Sequence, residues 1–314
     1  MVEKVRAENT EEKFTGCLLG AAIGDALGMA SEGNIPSLNR MRCGYAKPLR
    51  RHPNDGLEPG QYTDDTQLMI LAGTLLADGR FSVEKYAAAL RDSFERGILR
   101  YPDGSVASAC ERLANGTEKT AVNSTTAGCI SLAVPFALAF HDPRELTERA
   151  SLACAVTHSH PAVHAGLATT AILIHSAVEG ECDPLGKAAR RAAAEDPTLG
   201  TRVESALAME RSHEPVESAV LRIGNDLSVY QTVPLALFLI GRYPDPEELL
   251  TVAANVGGNT DTIGLICGAY AGAVLGKSGL PEDLLKGLEE NRRIEVLGQR
   301  LYQRYLRSSL VRDR

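Results

Sequence analysis

Apolar positions return along the chain with the period of a helix. Leu68, Met69, Leu71, Leu75 and Leu76 fall on one face of a helix starting near Asp64, and Val83, Tyr86, Ala87 and Leu90 on another. Leu132, Val134, Phe136, Leu138 and Phe140 repeat less cleanly through residues 128–141. Residues 163–178, 235–240, 245–255 and 281–306 continue the series. Strand-like alternation is rare, with Tyr62 and residues 227–232 the only places to consider it. Asp183-Pro184 and Asp245-Pro246 read as helix starts. Helix after helix, joined by short Gly, Pro or Asp connections, predicts an all-α fold. No Pro/Ser-rich linker divides the chain, so one domain is expected over residues 13–307, with 1–12 and 308–314 as flexible termini. The loop over residues 33–61 carries Pro36, Pro48, Pro53 and Pro59, and loops of that length are usually functional or disordered.

Glycine changes this picture first. Gly16, Gly20, Gly24 and Gly28 are spaced by four, and so are Gly264, Gly268, Gly272 and Gly276. Residues four apart share a helix face, so each set is a smooth stripe. A glycine inside a helix costs about 0.5–1 kcal/mol against alanine. Close packing must offset eight such costs, so the two striped helices are expected to lie against each other or against a ligand. Residues just beyond the stripes would then meet. Glu32 continues the first stripe, and Asn259-Thr260-Asp261-Thr262 precedes the second. A third cluster, Thr63-Asp64-Asp65-Thr66, opens the helix of Leu68.

Composition narrows the function. The net charge of −7, the 5% aromatic content and the absence of Trp argue against dedicated nucleic-acid binding. The uncharged run over 262–276 is about 15 residues, short of a bilayer span. Asp25 interrupts the run over 17–30, and Asn123 to Thr126 with Pro135 break the run over 121–140, so no membrane association is expected. The polar start, with Glu3, Glu8, Glu11 and Glu12, does not read as a secretory signal. Cysteines 17, 43, 110, 129, 154, 182 and 267 show no Cys-x-x-Cys spacing and read as buried free thiols in a reducing, cytoplasmic setting.

The Thr/Asp clusters admit two readings. Thr, Asp and Asn cap helix N-termini, where acids also meet the favourable end of the dipole. Adjacent Asp64 and Asp65 exceed what one cap needs, and gathered carboxylates call for a counter-ion. Carboxylate and hydroxyl oxygens suit Mg²⁺ or Mn²⁺ rather than zinc, and two clusters plus Glu32 suit a two-ion centre.

These segments also resemble a known family. Gly16-Cys17-Leu18-Leu19-Gly20 through Gly24-Asp25-Ala26-Leu27-Gly28, then Glu32, is similar to the N-terminal motif of the ADP-ribosylglycohydrolases. That family includes dinitrogenase reductase-activating glycohydrolase and the ADP-ribosyl-arginine and ADP-ribosyl-serine hydrolases. Tyr62-Thr63-Asp64-Asp65-Thr66, Thr157-His158-Ser159-His160-Pro161 and Gly257-Gly258-Asn259-Thr260-Asp261-Thr262 follow in the family's order. The resemblance implies a compact orthogonal multi-helix bundle around two Mg²⁺ or Mn²⁺ ions. It implies metal ligation by Thr63, Asp64, Asp65, Asp261 and Thr262, with Asn259 where the family usually has Asp. Asn keeps an oxygen but removes a charge, so the second ion site is expected to be weakened. It implies a catalytic centre of Glu32 with Asp64 and Asp65, and contact with the ADP-ribosyl group from Asn123, Gly128, Cys129 and His158.

The implied reaction is glycoside hydrolysis of an ADP-ribosyl conjugate, on a protein side chain or a small molecule. Ser131-Leu132 stands in place of the family's Met-Arg, which leaves open a related hydrolase of another nucleotide or nucleoside glycoside. Asn259 leaves open a non-catalytic ADP-ribose-binding or crystallin-like structural relative. Among the remaining candidates, His158 reads as a pocket hydrogen-bond donor or a surface histidine, and His160 and His164 as structural. Asp25 reads as orienting a metal ligand or as a surface acid, and Asp103-Gly104 as a turn.

Overall fold

Side-chain oxygens start most of the helices. Thr63, Ser82, Asp103, Asp142, Asp183, Asp196, Ser228 and Asp245 each accept a hydrogen bond from a first-turn N–H, and His160 does so through its ring. The structure is a computed structural model that describes residues 2–312, with side chains described over 10–39 and 41–308. The helices are α1 (Val2–Gly28), α2 (Asp64–Ala77), α3 (Val83–Glu95), α4 (Gly104–Ala114), α5 (Ala133–Ala139), α6 (Pro143–Cys154), α7 (Pro161–Val178) and α8 (Pro184–Glu195). They continue as α9 (Pro197–Arg211), α10 (Val216–Ile223), α11 (Val229–Arg242), α12 (Pro246–Ala253), α13 (Thr260–Leu275), α14 (Glu282–Gly287) and α15 (Asn291–Arg312). Among the described residues there is no β-strand, only three isolated bridges. The fold is all-α, as the apolar period predicts.

The two glycine stripes pack on each other. A methyl added at Gly20 would run into the Gly268 carbonyl, at Gly24 into that of Gly264, and at Gly28 into that of Thr260. Helices α1 and α13 thus lie antiparallel with backbone against backbone for about 18 Å, the length of twelve helical residues. Around this pair one continuous core joins α2, α5, α7 and α11. Helix α7 is long and apolar enough to cross a membrane by length and composition, and it is almost wholly buried in that core.

Some expectations need correction. Residues 227–232 are not a strand: Ser228 caps α11, which begins at Val229. Residues 281–306 are not one helix. Glu290 adopts a left-handed φ of 50°, the Glu289 N–H donates to the Gly60 carbonyl, and its carboxylate pairs with Arg100. Those tertiary bonds separate α14 from α15. Cys43 and Cys182 are exposed, in loops, while the other five thiols are buried. Helix α1 begins at Val2 and α15 ends at Arg312, and Met1, Asp313 and Arg314 lie outside the described residues.

Candidate functional site

The antiparallel stripes carry the loop after α1 onto the loop before α13. The Thr260 hydroxyl donates to the Gly28 carbonyl at 2.8 Å. The Gly33 N–H donates to the Gly258 carbonyl at 2.8 Å, and the Gly258 N–H returns to Asn34 at 3.0 Å. Gly257 and Gly258 have φ of 73° and 67°, and side chains there would strike the backbone of Asn34 and Asn225. This lacing brings Glu32 within hydrogen-bond reach of Asp261.

Asp25 fixes the third cluster. It is fully buried on α1, facing the start of α2. Its carboxylate accepts from the Thr63 N–H and hydroxyl, both at 3.0 Å, and from the Thr66 N–H at 3.0 Å and hydroxyl at 2.6 Å. Burial pushes the Asp25 carboxyl above its usual range against the pull of these bonds. Thr63 also caps α2, accepting from the Asp65 N–H at 3.3 Å. Its hydroxyl is therefore held by structure, and Asp64 and Asp65 project from the first turn above it. Asp25 is therefore no surface acid: it holds Thr63 and Thr66, the residues that flank Asp64 and Asp65.

Glu32, Asp64, Asp65, Asn259, Asp261 and Thr262 line one cavity of about 20 Å³, together with Asp103, Tyr101 and Gly128. That is room for one water or ion; a second ion requires the carboxylates to spread, and anything larger lies across the mouth. The Thr262 hydroxyl donates to Asp65 Oδ2 at 2.7 Å, and the Thr262 N–H to Asp261 Oδ1 at 2.8 Å. Asp64 Oδ2 is buried without a partner, and so is Asp103 Oδ2. Among the described residues no Lys or Arg forms an ion pair with Glu32, Asp64, Asp65, Asp103 or Asp261. Burial, then repulsion from neighbouring acids, holds the Asp64, Asp65 and Asp261 carboxyls well above the usual range. Burial also raises Glu32, against hydrogen bonding from Asn54 and the influence of His52. Among the described residues no group of three or more His, Cys, Asp or Glu side chains is placed so as to hold a metal ion as it stands.

The donor set fits divalent cations by its chemistry: buried, anionic, oxygen-only and partly unpartnered. Asn259 modifies one side of it. Its Nδ2 donates to the Thr232 hydroxyl at 3.0 Å, and that hydroxyl spends its proton on the Asp226 carbonyl. Position 259 is thus matched to an amide, with Oδ1 left 3.4 Å from the Thr262 hydroxyl.

The predicted substrate residues divide. Gly128 lines the cavity, packed on the Asp103 carboxylate. His158 is fully buried, bonded to Thr126 and Thr157 at 3.1 and 2.9 Å, with Nε2 3.9 Å from Asp103 Oδ2. Cys129 is buried behind Gly128, and Asn123 is exposed outside the cavity. Ser131 and Leu132 face the core, so neither fills the cavity. His160 caps α7, and His164 bonds Ser151 and the His158 carbonyl, both structural roles.

Sequence reasoning gave Asp103 too little weight: it caps α4 through Oδ1 and turns Oδ2 to the site. It missed Tyr101, whose hydroxyl donates to the Asp55 carbonyl. It also missed the hold on Glu32. Asn54 Nδ2 donates to Glu32 Oε2 at 2.7 Å. The Asn54 N–H donates to His52 Nδ1, so His52 Nε2 carries the ring hydrogen and donates to the Glu32 carbonyl at 2.6 Å. Only the length of the 33–61 loop pointed there. A larger cavity of about 550 Å³, between Phe140, Arg149 and Arg304, opens at the other end of α2 and contains none of the predicted residues.

The sequence model of the ADP-ribosylglycohydrolase family matches residues 6–310. The chain belongs to the ADP-ribosylglycohydrolase family. It is similar to an uncharacterized protein of Archaeoglobus fulgidus, 35% identical over 95% of this chain and 98% of that one. It is 24% identical to the ADP-ribosylhydrolase ARH3 of Homo sapiens, over 96% of each chain. A solved ADP-ribosylglycohydrolase-related protein complex superposes with a TM-score of 0.79 at 23% identity, covering 95% of this chain and 99% of that one, which shows the shared fold. This ADP-ribosylglycohydrolase-family chain therefore carries a family of hydrolases' fold over almost its whole length.

Proposed function

We propose that the protein hydrolyses the glycosidic bond of an ADP-ribosyl group attached to a protein side chain or a small molecule. The observation that carries this reading is the convergence of Glu32, Asp64, Asp65, Asp103 and Asp261 on one small cavity, with Asp64 Oδ2 unpartnered. Two Mg²⁺ or Mn²⁺ ions would be held by Asp64, Asp65, Asp261 and Thr262, with Asn259 as a neutral oxygen donor; Thr63, whose hydroxyl is taken by Asp25, would support Asp64 and Asp65 from behind. When bound, such ions supply positive charge that orients ribose hydroxyls and acidifies water.

The chain's own residues supply the rest. Glu32, held by Asn54, faces Asp261 and accepts the proton of the attacking water as charge of oxocarbenium type develops on the sugar. Asp25 keeps Asp64 and Asp65 in register with Glu32. Tyr101 and Leu227 stand at the mouth, where a group too large for the cavity rests. The mostly buried thiols suit a reducing cytoplasm.

The test is release of ADP-ribose from arginine-linked and serine-linked conjugates. Release with Mg²⁺ or Mn²⁺ is expected to stop on adding EDTA. Glu32→Gln and Asp64→Ala are expected to lower turnover by about 10²-fold or more, the usual scale for general-base loss, with helical content unchanged. Turnover indifferent to chelation and to Asp64→Ala refutes the reading.

A further inference from the structure

Two thiols behind the cavity wall stand in contact. Cys129 Sγ lies 3.0 Å from Cys154 Sγ, closer than ordinary van der Waals contact between sulfur atoms. Both side chains are essentially inaccessible, at 1% and 0% exposure. They come from different elements: Cys129 precedes a short 3-10 turn, and Cys154 ends α6. Among the described residues no other two cysteine sulfurs are in contact. His164 Nε2 is 4.0 Å from Cys154 Sγ. Nothing in the proposed reaction uses either sulfur.

We propose that Cys129 and Cys154 are a disulfide-forming pair, an oxidation site built into the wall of the acidic cavity, with hydrogen peroxide as the oxidant. One sulfur gives up its proton and attacks peroxide as the thiolate, the O–O bond breaks, the hydroxide released takes up that proton, and a sulfenic acid and a water result. The second sulfur attacks the first, the S–S bond forms, the S–O bond breaks and a second water leaves. Two electrons pass from the sulfurs to peroxide, and the thiol protons leave in the two waters. A disulfide needs its sulfurs about 2.0 Å apart, so the pair closes by about 1 Å. Peroxide is close to water in size, and it reaches the pair only when the wall opens locally.

The bond would tie the cavity wall to α6. Cys129 follows Gly128, which packs on Asp103, and Asp103 faces His158. Drawing Cys129 toward Cys154 therefore pulls on the backbone that positions Asp103. The bridge would also close a chain separation of 25 residues, which restricts the unfolded state.

The experiment treats the full-length protein with peroxide, alkylates the remaining thiols in denaturant and maps the peptides by mass spectrometry. The expected product joins the Cys129 and Cys154 peptides, two hydrogens lighter than the reduced pair, and dithiothreitol reverses it. The oxidised protein is expected to melt at a higher temperature than the reduced one. The mapping is repeated with Cys43→Ser and Cys182→Ser, which removes the exposed thiols, and with Cys154→Ser, which should abolish the link and leave Cys129 without a disulfide partner. The proposal is overturned if both cysteines are recovered alkylated after a dose that oxidises Cys43 and Cys182. It is equally overturned if Cys129 links to another cysteine in the parent chain. Mapping the parent chain decides the matter even where a variant fails to fold, and it does not depend on the hydrolase reading.

Discussion

At the residue scale, two side chains tune the acidic cavity. Asp25 satisfies two backbone N–H groups and two hydroxyls at the start of α2. Asp25→Ala leaves buried donors unpaired, so urea unfolding is expected to show a loss of about 2–4 kcal/mol, the sum of such penalties less local relaxation. Asn259 sets the charge of the α13 side. Asn259→Asp adds an anionic ligand where an amide now stands, and calorimetry is expected to show Mn²⁺ bound about tenfold more tightly, about 1.4 kcal/mol. That Asp64 and Asp65 would gather with Asp261 and Thr262 was legible in part, from two adjacent acids at the start of α2 that exceed what capping needs and from the glycine stripe that leads into Asp261 and Thr262. Asp103 was not, because Asp-Gly before a helix looks like a turn whether or not its second oxygen is free. Asn54 and His52 were illegible, since nothing in a Pro-rich loop shows which backbone it folds onto.

At the element scale, the glycine stripes position everything else. Spacing by four predicts their pairing, and the structure adds the antiparallel register that sets Gly28 against Thr260. Gly20→Ala improves helix propensity but drives a methyl into the Gly268 carbonyl. Overpacking backbone against backbone outweighs the propensity gain, and a net loss of about 2–3 kcal/mol is expected by thermal or urea unfolding. The same change at exposed Gly104, where an added methyl meets nothing within 4 Å, is the matched control. Periodicity located α2, α3 and α7 because each presents a run of apolar positions to the core. It merged α14 with α15 because the break depends on Gly60 and Arg100, which are remote in sequence.

At the scale of the whole molecule, a chain of net charge −7 folds around a knot of its own acids. Without divalent ions, Asp64, Asp65 and Asp261 have carboxyl pKa values raised well above 3.8. The folded state then holds more protons than the unfolded state, so stability falls as pH rises from about 4 through those raised values. In EDTA, unfolding measured across that range is expected to show this fall, and saturating Mg²⁺ to flatten it, because the ions take over from the protons. The central claim is that this knot is a divalent-metal centre. Counting bound Mn²⁺ by electron paramagnetic resonance tests it most directly. The protein is expected to bind two ions saturably, and Asp64→Ala, still folded, to lose them. No saturable binding, or the same count in Asp64→Ala, would contradict it.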